Sequence, residues 1–137
     1  MKNQRGASAI EFAIVFPLLV LLLFGIIEFS VILYDKVMIT NASREGARAG
    51  IVVQLTRMTE PDIKAIVDNY CKDHLISFDV GVPLQTNVSW AAGYPPKFGD
   101  ELSVQVKYDY KFLVLPNFVT GIVGPMTLTA NTVMRME

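Results

Sequence analysis

Few side chains in this 137-residue chain are placed to do chemistry, and the most telling is Glu11 in the stretch RGASAIEF. It stands at the mouth of the most strongly apolar part of the chain, the charge-free residues 12–27. Two roles are open to a carboxylate there. It rests among lipid headgroups as an interfacial charge, or it pairs with a cation, because inside a span it costs about 2.5–3.5 kcal/mol on insertion scales. Glu28 closes the same run, and at roughly 100° per residue it lies about 260° around a helix from Glu11, on a different face. It is expected to mark the outer membrane interface. The one cysteine and the one histidine, Cys71 and His74, fall three apart. Zinc takes four ligands, so this pair reads as flanking a buried helix face, and no metal or other cofactor is expected. There is no Ser/His/Asp grouping with a usable histidine, no phosphate-cradling glycine loop and no pair of carboxylates in a plausible cleft. The chain is expected to have no catalytic residues and not to be an enzyme.

The elements around these residues follow from composition. Hydrophobic residues make up 52% and charged residues 18%, with a net charge of −1. Length allows one domain at most, and the absence of a basic run beyond the N-terminus argues against nucleic acid as a partner. Glu11 and Glu28 stand about 25 Å apart along a helix, close to the roughly 30 Å of a bilayer core. With the apolar character resuming after Glu28, the transmembrane part extends over about residues 12–34. Pro17 inside it is tolerated in a membrane helix. A cleaved secretory signal is the weaker reading, because no small-x-small triplet follows the run at the right distance; Ala47-Arg48-Ala49 comes too late. Lys2 and Arg5, with no acid before the span, keep the N-terminus cytoplasmic and send the rest of the chain outward.

Residues 35–58 contain no proline and continue the same helix, with Ala42, Gly46 and Gly50 forming a line of minimal side chains against which a sheet or second helix packs. A second helix begins near Thr59-Glu60-Pro61-Asp62, where a threonine cap, a first-turn proline and an acid three residues after the threonine coincide. Its face is Ile63, Ile66, Val67 and Tyr70. After Phe78 the period becomes two: an irregular strand around residues 80–84, a short one at 86–90, a clear one at 102–112 and a last one from 126. Residues 93–100 are a loop. Residues 113–125 carry no charge and, with their prolines and glycines, read as a partly buried loop rather than a second span. The sharper reading is an apolar surface that touches the membrane or a neighbouring subunit.

Gly6, four small or apolar residues, then Glu11-Phe12 ahead of a span resembles the processing site of type IV prepilins, in the variant with an aromatic after the glutamate seen in the Flp/Tad tight-adherence branch. Thr40-Asn41-Ala42-Ser43-Arg44-Glu45-Gly46-Ala47-Arg48-Ala49 resembles the signature that follows the span in TadE-like pseudopilins. The resemblance covers residues 5–50 and implies a single-span minor pilin of the bacterial cytoplasmic membrane with an extracytoplasmic head. It implies a leader, 1–6, removed by a prepilin peptidase between Gly6 and Ala7. It also implies that Glu11 and Phe12 serve subunit pairing, with Glu11 meeting the new Ala7 amine of a neighbour. The peptidase, other pilin subunits, the pilus assembly machinery and the bilayer are the implied partners. The expected fold is α+β: a long helix over residues 7–58, then an α+β head over 59–137 with a second helix and a small antiparallel sheet. The rival reading is a single-pass anchored binding protein whose head does not polymerise.

Overall fold

The computed structural model describes residues 2–52, 57–77 and 84–136. Its first element, α1 (Lys2–Ile51), is one continuous helix of 50 residues, about 75 Å long at 1.5 Å per residue. The helix ends at Ile51, and residues 57 and 58, which sequence periodicity includes in it, are not helical; residues 53–56 lie outside the described residues. Helix α2 (Glu60–His74) starts where its cap signals place it. The Thr59 amide and hydroxyl both donate to Asp62 Oδ2, at 2.9 and 2.6 Å, and these bonds hold the Asp62 carboxyl below the ordinary aspartate range.

Three strands form an antiparallel sheet in the order β1-β2-β3: β1 (Leu84–Trp90), β2 (Glu101–Tyr110) and β3 (Met126–Arg135). The irregular strand expected around residues 80–84 lies mostly outside the described residues. Period-two alternation along β2 puts Leu102, Val104, Val106, Tyr108 and Tyr110 on one buried face. The register carries that face across the sheet, with Val88 opposite Val104 and Ala130 opposite Val106. This face packs onto the second half of α1 and, through β1, onto α2. The core is therefore built of Ile39, Ala42 and Ala47 from α1, Ile63, Val67 and Cys71 from α2, and the inner face of the sheet. The architecture is α+β, a long apolar helix followed by a second helix and a three-stranded antiparallel sheet.

Between β2 and β3, the charge-free segment is more than a loop. It contains a seven-residue helix, α3 (Asn117–Val123), which ends at Gly124 with φ +77°, a conformation that suits glycine.

Candidate functional site

The long helix has two regimes along its length. From Gly6 to Leu19 every residue is exposed, whereas from Glu28 onward a buried stripe runs through Glu28, Asp35, Ile39, Ala42, Ser43, Gly46 and Gly50. Steps of three, four and seven residues keep these positions on one face. That face receives the head.

Glu28, which closes the apolar run, is 1% exposed and wrapped by the chain that leaves β2. Its Oε1 accepts from the Tyr110 hydroxyl at 2.5 Å and the Leu113 amide at 2.9 Å. Its Oε2 accepts from the Val114 and Leu115 amides at 2.7 and 3.2 Å. Three successive backbone amides converging on one carboxylate form an anion nest. A buried carboxylate is costly unless it is fully hydrogen-bonded, and here four neutral donors satisfy it. Burial, followed by the hydrogen bond to Glu28, pushes the Tyr110 phenol up.

Asp35 lies two helical turns further on and is fully buried. Its Oδ1 accepts the Ile76 amide at 3.0 Å, tying α1 to the chain leaving α2, while its Oδ2 has no partner among the described residues. Lys36 Nζ donates to the Thr129 carbonyl, and Ser43 and Thr132 share a hydroxyl hydrogen bond of 2.7 Å. Further along, a Cβ on Gly46 would meet Val67 Cγ2 at 2.6 Å, and one on Gly50 would meet Leu102 Cδ2 at 2.5 Å and Ile63 Cδ1 at 2.8 Å. The absent side chains let α2 and β2 approach the α1 backbone, with Ala42 fully buried on the same strip.

At the other end, Gly6, Ala7, Glu11 and Phe12 all lie exposed on uninterrupted helix. A Cβ added at Gly6 would meet nothing within 4 Å. Phe12 is 65% exposed and stacks on Phe16 with ring centroids 5.2 Å apart. Glu11 makes no hydrogen bond or ion pair among the described residues. The two acids that bracket the apolar run thus differ in kind: Glu28 spends its charge inside the subunit, and Glu11 presents its charge outward. Ala7 and Glu11, four residues apart, share a face.

The Cys71–His74 pair holds no third neighbour that would make a metal cluster among the described residues. Cys71 is buried, and burial, then the nearby Asp68 and Asp35 charges, push its thiol up to about 12. His74 instead donates from Nδ1 to the Tyr70 carbonyl at 2.8 Å and stacks on the Tyr70 ring.

What the fold defines is a helix long and apolar enough to cross a membrane, with a small head clamped onto its second half by buried polar groups. Residues 6–48 match the family model described as TadE-like protein, so this stretch of α1, from the exposed N-terminal end to the glycine strip, is the TadE-like part of the chain. The match is consistent with a TadE-like protein of the Tad pilus system, and that family is pilus-associated and structural rather than enzymatic. No curated protein and no solved structure gives a match.

Proposed function

We propose that the protein is a minor pilin or pseudopilin of a tight-adherence pilus, anchored in the cytoplasmic membrane with its N-terminus inside and its head outside. A prepilin peptidase cuts between Gly6 and Ala7, and the matured subunit joins the pilus assembly. The observation that carries this reading is the exposed Glu11, without a partner among the described residues, on an apolar helix whose other bracketing acid is fully satisfied within the subunit. An apolar surface comprising Ile10, Phe12, Ile14 and Leu18 lies uncovered by the head. Lipid covers it first, and neighbouring helices cover it in the assembly.

Cleavage acts as the switch. It removes the basic Lys2 and Arg5 and creates an amine at Ala7, one helical turn from Glu11. In a helical stack of subunits, the Glu11 carboxylate of one chain meets the Ala7 amine of the next, and at low dielectric such a pair is held strongly. Replacing Glu11 by Val tests this: membrane insertion and head folding stay as in the wild type, while incorporation into pili falls. Wild-type pilus incorporation by the Glu11→Val protein would contradict the pairing. A cut, inserted wild-type chain that never copurifies with pili would instead favour the non-polymerising anchored binder.

A further inference from the structure

We propose that residues 113–123 enter the outer leaflet of the bilayer beside the span, so that the subunit contacts the acyl region through α3 as well as through α1. The proposal rests on the reading of α1 as a membrane helix and adds a second lipid-contacting element to it.

Depth comes first. Glu28 turns the chain at 113–115 back along α1 toward its N-terminal end, and Pro116 then lines an apolar groove with Pro17, Leu18, Val20, Leu21 and Phe24. Those five residues lie four to eleven positions below Glu28, or about 6–16 Å along the helix. One leaflet contributes about 15 Å of hydrocarbon. Pro116 is therefore carried to the level of the lipid-facing part of α1, and its surface is continuous with that of the span.

Composition and backbone agree with that location. From Phe112 to Met134 the chain has no charged residue. On α3, Ile122 is 85% exposed and Val123 53% exposed, an arrangement that water disfavours and acyl chains accept. In hydrocarbon a backbone donor needs an internal partner, and the donors of the turn at 113–115 have one. The amides of 113–115 go to the Glu28 carboxylate, Thr120 N–H goes to the Pro116 carbonyl and Gly124 N–H to the Thr120 carbonyl. Pro116 and Pro125 have no donor to satisfy. Glu28 is thus the positioning residue that lets an irregular turn exist at membrane depth.

The test uses the full chain in phosphatidylcholine vesicles with or without acyl chains brominated at mid-length, which quench tryptophan on contact. In a Trp90→Phe background a single tryptophan is placed at Leu22, on the span, or at Ile122 or Val123, on α3; all three positions are exposed and need no repacking. The wild-type Trp90, in the head, is the unquenched reference. Expected is loss of most emission for Ile122→Trp and Val123→Trp, to the same extent as for Leu22→Trp. If Leu22→Trp is quenched while both α3 tryptophans emit like Trp90, α3 lies outside the bilayer and the proposal is overturned, with the span intact. If none is quenched, the span itself is refuted. Emission from the α3 positions that shifts with protein density but resists brominated lipid would assign the surface to a second copy of the chain, and likewise overturn the proposal.

Discussion

Replacing Glu28 by Gln keeps the shape of the side chain and removes half of its accepting capacity. Whichever way the amide is oriented, one carboxylate oxygen becomes an NH2 group facing donors. With the amide nitrogen at the Oε2 position, the Val114 and Leu115 amides lose their acceptor. With it at Oε1, the Leu113 amide loses its acceptor and the Tyr110 hydroxyl must turn about to accept. Hydrogen bonds to charged groups contribute about 1.5–3 kcal/mol each, so two lost bonds amount to roughly 3–6 kcal/mol. The neutral amide is cheaper to bury, which offsets part of this, and a net loss of about 3 kcal/mol is expected. At about 4 °C per kcal/mol for a domain of this size, the head should melt roughly 12 °C lower. The assay is near-ultraviolet circular dichroism of the aromatic residues in detergent, with hydrogen exchange at the Leu113, Val114 and Leu115 amides. Those three amides should exchange faster than the β2 amides, which stay paired. A melting point and amide protection unchanged from the wild type would refute the nest as the clamp between head and helix.

The other buried acid should behave in the opposite way. Asp35→Asn keeps an oxygen for the Ile76 amide and replaces a buried oxygen that has no partner among the described residues, so stability should hold or rise, whereas Asp35→Ala should cost about 1–3 kcal/mol by orphaning that amide; paired denaturant titrations distinguish the two. Gly46→Ala sets a methyl 2.6 Å from a γ-methyl of Val67, a β-branched side chain on a helix with little rotamer freedom, and overpacking of this kind costs about 1–3 kcal/mol. Gly50→Ala meets the ends of Leu102 and Ile63, which can turn aside, and should cost less in the same thermal melts. Cys71 should resist maleimide at pH 8 in the folded head and react once the head is unfolded. Because its thiol is pushed from 9.0 up to about 12, only the unfolded chain ionises between those values, so head stability should fall as pH rises through that window, and Cys71→Ala should reduce the slope.

The span, the second helix and the sheet were legible because each obeys a short-range rule: an uncharged run, a threonine cap three residues before Asp62, and strict alternation along β2. The burial of Glu28 is not legible in the sequence because its partners are 82 to 87 residues away, and nothing in the local pattern of a greasy helix says that a distant turn will close on it. One signal did exist. Glu28 and Asp35 are seven apart and lead into Ile39, Ala42 and Gly46, so the two acids share the face that packs, while Glu11 does not. The turn at 113–115 and α3 were illegible for a related reason. A charge-free stretch rich in proline and glycine has no period of its own, and its conformation is dictated by the carboxylate it wraps. Leu113, Val114 and Leu115 look like buried apolar residues, yet it is their backbone amides that hold the head in place.

The exposed end of α1 is where the account stands or falls, and the most direct measurement is the N-terminal residue of the protein taken from membranes with and without a prepilin peptidase. The account predicts a chain beginning at Ala7 when the peptidase is present and an uncut chain when it is absent. An uncut N-terminus in both membranes would contradict it and leave an anchored head with no switch for assembly.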